Sequence, residues 1–164
     1  MQRHEALADL SRDHHRGLVW AKRLSDAAED EAEATAEAFV AFWDDELAAH
    51  VTEEEHVLLP IYQRHVDLTE DELVLTMLAD HAWFRDRVPD LRTRSREGQP
   101  LGEALAELGR RLHDHARMED RELFGRIEET LAEDELAEVH DRSRRFRRAH
   151  RGEGAIGPRP TRED

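Results

Sequence analysis

The stretch that most constrains this chain is HVTEEEHVLLPIY, from His50 to Tyr62. It continues a helical stripe marked by Phe39, Trp43, Leu47, Leu58 and Ile61, and His50 and Glu54 fall on that same apolar stripe. Residues four apart on a helix project about 40° from each other, one turn apart, so both side chains reach one point in space. An imidazole and a carboxylate on a buried face need partners, because leaving either without one costs several kcal/mol. A metal ion would satisfy both, provided that other helices supply further ligands from equally buried faces.

Composition narrows the setting. A chain of 164 residues has the length of one domain with a sizeable core, and its 38% charged residues suit helices with solvated outer faces. With no cysteine, disulfides, thiolate zinc sites and iron–sulfur clusters are excluded. The apolar runs are too short to span a bilayer, and no signal-peptide pattern opens the chain, so no membrane association and a cytoplasmic location are expected. A formal net charge of −15 argues against the chain as a whole being a nucleic-acid binder. Eleven histidines is a high number for this length and requires an explanation.

Periodicity predicts helices over about Glu5–Ala28, Ala32–Arg64 and Leu101–Thr130, and a third helix in the chain starting from a Thr69/Glu72 capping box and running through Leu91. Pro60 is expected to kink or end the second helix and Pro89 to kink the third. Gly17 suggests a close approach within the first. Ser25–Glu33 reads as an acidic connection and Arg94–Pro100 as a loop. A shorter fifth helix, about Asp134–Arg148, has Leu136, Val139 and Phe146 as apolar positions, and Gly152–Asp164 reads as disordered. No segment sustains a period of two. The fold expected is all-α: an antiparallel up-down-up-down four-helix bundle with a short fifth helix and a disordered C-terminal tail.

The same periodicity sorts the histidines. The inward series are 7, 10, 14, 21, 24 on helix one and 43, 47, 50, 54, 58, 61 on helix two. On helix three the series is 74, 77, 81, 84, 88, 91, and on helix four 101, 105, 108, 112, 115, 119. They select His14, His50, Glu54, His81, His115 and Glu119, with His15 on the shoulder of helix one as the alternate to His14. His4, His56, His65, His113, His140 and His150 read as surface residues. Any one selected position has a plain explanation as a hydrogen-bonded core residue. Six together, with at least one on every helix, would weigh heavily on a protein whose net stability is about 5–15 kcal/mol unless an ion joined them. Six ligands exceed one tetrahedral zinc. Two ions bridged by Glu54 and Glu119, with two histidines each, divide the set naturally; imidazole suits iron, zinc, copper or nickel.

The pieces SRDHHRG, HVTEEEHVLLP, DHAWF around His81 and HARMEDRELF resemble, in order and spacing, the hemerythrin-like (HHE cation-binding) family over about Leu7–Ile127. The resemblance implies a bundle domain over residues 1–150, with 151–164 as tail. It selects iron: two non-heme ions, Fe2+ or Fe3+, with room for an oxo or hydroxo bridge, held by His14, His50, His81 and His115 as terminal ligands. It also implies binding of, or reaction with, O2, NO or peroxide. Oxygen-carrying members place a second histidine where Arg85 stands and an aspartate five residues beyond the helix-four histidine, whereas the inward carboxylate here is Glu119, at four. The set is similar to the bacterial branch implicated in iron–sulfur repair under nitrosative stress and in sensing oxygen or iron, though those repair proteins carry a cysteine-containing segment.

Other features are plainer. Arg142–Arg151 (RSRRFRRAHR) reads as the solvated face of helix five, pairing with the acidic Asp26–Glu37 region. Its sharper reading is an anionic-partner or nucleic-acid site. Trp20, Trp43, Trp83 and Tyr62 read as packing residues. Three functions compete at this point: a di-iron protein acting on a small ligand, a non-catalytic metal-responsive interaction module, and a structural bundle with buried His–Glu pairs.

Overall fold

The computed structural model describes residues 3–153, which form helices with no strand among them. Helix α1 is Glu5–Asp26, α2 spans 32–62, α3 is Glu72–Arg96, α4 spans 102–130 and α5 is Glu133–Glu153. A 3-10 turn, Glu29–Glu31, leads into α2. None of the described helices is long and apolar enough to cross a membrane. Helix α5 runs past the expected boundary at residue 150, and residues 154–164 of the expected tail lie outside the described residues.

Every position in the four inward series is buried. The apolar ones gather into two clusters. One takes Leu7 and Leu10 of α1, Leu58 and Ile61 of α2, Val74 and Met77 of α3, and Phe124 and Ile127 of α4. The other takes Ala21 and Leu24 of α1, Phe39 and Trp43 of α2, Phe84 and Val88 of α3, and Leu105 and Leu108 of α4. The inward histidines and glutamates occupy the seam between the clusters along each helix. Leu136 and Val139 of α5 join the first cluster, so the fifth helix is docked rather than free.

Helices α2 and α4 contain wide π turns, at Trp43–Leu47, Glu54–Leu58 and Glu119–Leu123. In the last two, the Leu59 amide reaches back to the Glu54 carbonyl and the Phe124 amide to the Glu119 carbonyl. Each such turn inserts a residue and slows the rotation of the inward face. It keeps Glu54 with Leu58, and Glu119 with Leu123, on the buried side. The turn at Glu54–Leu58 also precedes Pro60 and loosens the backbone where the proline ring would crowd the carbonyl four residues back. The helix therefore passes through Pro60 and ends at Tyr62. Helix α3 likewise continues through Pro89.

The helix ends correct three sequence expectations. The N-cap of α3 is Asp71, whose carboxylate accepts from the Leu73 and Val74 amides at 3.0 and 3.3 Å, while Thr69 donates instead to Asp67. Asp71 also accepts from the buried Tyr62 hydroxyl at 3.0 Å and from Arg126 at 3.1 Å, tying three helices together. The loop expected from Arg94 begins later, because α3 reaches Arg96 and closes with Gly98 at φ +65°. There the Gln99 amide donates to the Arg94 carbonyl and the Gly98 amide to that of Ser95, a Schellman closure that needs a left-handed residue. His4, expected on the surface, is half-buried and caps α1, accepting from the Ala6 amide at 3.1 Å.

Helices α1 and α4 pack closest at Gly109, not at Gly17. A Cβ on Gly109 would lie 2.6 Å from the Ala21 carbonyl oxygen and 3.0 Å from the Ser25 amide, whereas one on Gly17 would meet Leu112 at an ordinary 3.8 Å. Gly109→Ala is therefore expected to destabilise by about 1–3 kcal/mol through overpacking. Gly17→Ala is expected to stabilise by up to about 1 kcal/mol through helix propensity. Paired thermal or urea denaturation of the two variants checks the contrast; equal effects would contradict the packing described.

Candidate metal centre

The fold brings His14, His50, Glu54, His81, His115 and Glu119 to one buried point; each is 5% exposed or less. His15, the alternate on α1, stays exposed on the outer side of that helix. All four histidines turn Nε2 inward. His14 Nε2 lies 2.9 Å from Glu119 and 3.4 Å from Glu54, and His50 Nε2 lies 3.3 Å from Glu54. His81 Nε2 lies 3.2 Å from Glu54 and 3.8 Å from Glu119, and His115 Nε2 lies 3.3 Å from Glu119. The donors fall into two overlapping sets, His14–His50–Glu54–Glu119 and Glu54–His81–His115–Glu119, each with its ligand atoms within 4.8 Å of one another. The two glutamates belong to both.

Behind each ring stands a second carboxylate. Nδ1 of His14 faces Asp120 at 3.1 Å, His50 faces Asp13 at 3.5 Å, His81 faces Glu55 at 2.8 Å and His115 faces Asp80 at 3.4 Å. A carboxylate on Nδ1 favours the tautomer with its proton there, which leaves the Nε2 lone pair aimed inward. Arginines hold these outer carboxylates: Arg85 grips Glu55 in a two-pronged pair at 2.8 and 2.9 Å, Arg111 reaches Asp80 at 2.7 Å and Arg147 reaches Asp13 at 2.8 Å. Asp120 accepts the Ser11 hydroxyl at 2.6 Å, with Arg3 nearby.

The electrostatics follow from this layering. Burial alone would neutralise Glu54, but His50, His14 and His81 hold its carboxyl well below the usual range. Burial works against charged His14, and Asp120, Glu119 and Glu54 outweigh it, so its pKa rises well above 6.5. In His81 the same opposition, with Glu54 and Glu55 as the main counter-charges, raises the pKa from 6.5 to about 9. For Glu55, burial is overcome by His81 and Arg85, and its carboxyl titrates at about 2.

The inner atoms remain without hydrogen-bond partners despite their proximity: Nε2 of His14, His50 and His81 and both carboxylate oxygens of Glu54 and Glu119. Seven buried nitrogen and oxygen atoms that converge without satisfying one another fit one or two cations, in exchange for the imidazole protons, as the missing partner. Asp120, the residue five beyond His115, turns outward to His14, so Glu119 is the carboxylate presented inward from α4.

Periodicity did not reveal Asp13, Glu55, Asp80 and Asp120. The available signal was adjacency, since each stands one position from an inward ligand candidate: Asp13 before His14, Glu55 after Glu54, Asp80 before His81 and Asp120 after Glu119. A neighbour on a helix points about 100° away, here toward the ring carried by the next helix. Arg147 corrects another expectation: it turns inward to Asp13 and Glu53. Tyr62 is a buried packing residue, as expected, and its hydroxyl donates to Asp71.

Among the described residues the chain is helical throughout its regular structure, with a buried imidazole–carboxylate layer whose donor groups could hold a cation. Residues 6–127 match the hemerythrin HHE cation binding domain, and the chain belongs to that family. Comparison with curated proteins and with solved structures returned no match.

Because the folded pKa values of His14 and His81 exceed the ordinary 6.5, their contribution to stability is complete below pH 6.5 and is lost as pH rises through the folded values, about 9 for His81. Chelator-treated protein is thus expected to lose stability between pH 6.5 and 9, and metal-loaded protein to lose less because the cation replaces the protons. Urea midpoints across that range, with and without metal, test the difference in slope.

Proposed function

We propose that this chain is a non-heme di-iron protein that binds or reacts with a small ligand, O2, NO or peroxide, in sensing, stress response or iron handling in the cytoplasm. The carrying observation is the pair of overlapping donor sets that share Glu54 and Glu119. In this reading His14 and His50 would hold one iron and His81 and His115 the other, with Glu54 and Glu119 available to both. His14 rather than His15 serves from α1. Iron, when bound, supplies Lewis acidity and one-electron redox chemistry.

The chain's own residues do the rest. Asp120, Asp13, Glu55 and Asp80 fix the tautomers and keep the rings from swinging. Trp43, Leu47, Phe84 and Leu112, with His14, His50 and His115, line a small cavity of about 10 Å³, on the scale of a water-sized molecule. That is room for about one such molecule, and it favours a diatomic or peroxide over a larger substrate. Arg85 occupies the place of a fifth histidine and is spent on Glu55, which leaves two histidines on each side. The order in which each helix meets the two apolar clusters supports the antiparallel up-down-up-down bundle.

Purified chain loaded anaerobically with Fe2+ is expected to hold two irons and, on exposure to air, to develop near-ultraviolet absorption that reductant bleaches. Metal analysis with difference spectroscopy tests this. Iron uptake with no response to O2, peroxide or NO would instead favour a metal-responsive interaction module, and an unchanged melting temperature on chelation with no bound metal would exclude both. Replacing Asp80 by Asn is expected to weaken iron binding by about 10–100-fold with little loss of helicity, measured by equilibrium dialysis and circular dichroism.

A further inference from the structure

Helix α5 lies beyond the span of the family match, which ends at residue 127, yet one of its side chains reaches the layer behind the candidate centre. Arg147 donates from Nη2 to Asp13 at 2.8 Å, and its Nε lies 2.8 Å from one oxygen of Glu53 and 3.1 Å from the other. Asp13 precedes His14 in the chain and backs Nδ1 of His50; Glu53 precedes Glu54. One guanidinium therefore ties α1 to α2 at the level of the His14–His50 donor set. Arg16 also reaches Asp13, at 2.6 Å, but from the exposed side of α1.

The two halves of the centre differ in this respect. The carboxylates behind His81 and His115 are held by Arg85 of α3 and Arg111 of α4, both from the helices that carry ligand candidates. The carboxylate behind His50 is held by Arg16 of α1 and, in addition, by Arg147 from a helix that carries no ligand candidate. Glu53 is only 2% exposed, so removing Arg147 would leave a buried carboxylate without the guanidinium that faces it. Asp13 would then be drawn outward by Arg16, away from His50.

We propose that Arg147 is a positioning residue for the His14–His50 half of the centre, so that docking of α5 and cation binding in that half stabilise each other. The coupling is reciprocal by linkage: whatever α5 contributes to that half, a cation there returns to α5. The inference rests on the metal-centre reading above and adds an asymmetry that the family match does not contain.

The test uses the full chain and anaerobic Fe2+ titration followed by calorimetry and metal analysis, with Arg147→Gln, Arg147→Lys and, as control, Arg148→Gln on the exposed face of the same helix. Wild type and Arg148→Gln should bind two irons alike. Arg147→Gln should retain one iron at wild-type affinity and bind the other about 10–100-fold more weakly, and Arg147→Lys should recover part of the loss. Hydrogen exchange on the wild type should show α5 amides around 140–150 gaining protection on iron addition, an effect absent in Arg147→Gln. Two irons bound by Arg147→Gln as tightly as by wild type, or equal weakening of both, would overturn the proposal. Should Arg147→Gln fail to fold, unchanged α5 protection in the wild type on iron addition would overturn it equally. Wild type that takes up no iron overturns the metal reading itself, and this inference with it.

Discussion

Four imidazole edges and two carboxylates face one another in a buried layer, and most of the surrounding structure can be understood as what makes that layer tolerable. In water each of these atoms would be solvated; in the seam between two apolar clusters the only compensation is another charge. The chain answers in shells. The inner six groups converge, a carboxylate stands at the back of each ring, and arginines stand behind three of those carboxylates, with Arg3 near the fourth. Sign alternates outward, so every buried charge has an opposite neighbour. Most of the inner atoms lack hydrogen-bond partners, as do Nδ1 of His50 and of His115, and the convergence of the inner ones makes the middle of the layer a candidate position for a cation.

The backbone is shaped to the same end. Of the three π turns among the described residues, two begin at Glu54 and Glu119, the two residues shared by both donor sets, and the third at Trp43. A regular helix would rotate its downstream apolar residues out of line after such a long inward series; the wide turns at Glu54–Leu58 of α2 and Glu119–Leu123 of α4 restore them. The two helices thus repeat one device, a histidine four residues before a glutamate that opens a π turn. Histidines from α1 and α3 then complete one half of the layer each. The helix α5, by contrast, is joined to only one half, through Arg147.

Much of this was legible in the sequence. Periodicity sufficed for the helices because each stripe is long and its inward positions are all buried, and the same stripes separated His14, His50, His81 and His115 from most of the other histidines. What escaped had physical reasons. The π turns have no residue signature, since any side chain can occupy one. Asp71 took the cap expected of Thr69 because Tyr62 and Arg126 converge on it from other helices. Gly17 and Gly109 look alike in sequence, and only the approach of α1 to α4 distinguishes them. Arg147 sits among many arginines of a basic helix, and nothing local marks it as the inward one.

By itself, then, the sequence determined which residues share a buried face, because helical spacing is a local property of the chain. It thereby fixed the six inner groups and, through their order and spacing, the family. Only the tertiary structure decided which ring atom points inward, which carboxylate backs which histidine and which glycine meets a backbone. Those choices depend on neighbours far apart in the chain: Asp120 is paired with His14 across 106 residues, and Arg147 with Asp13 across 134. Pairings of that kind have no local signature, because they exist only once the helices have packed.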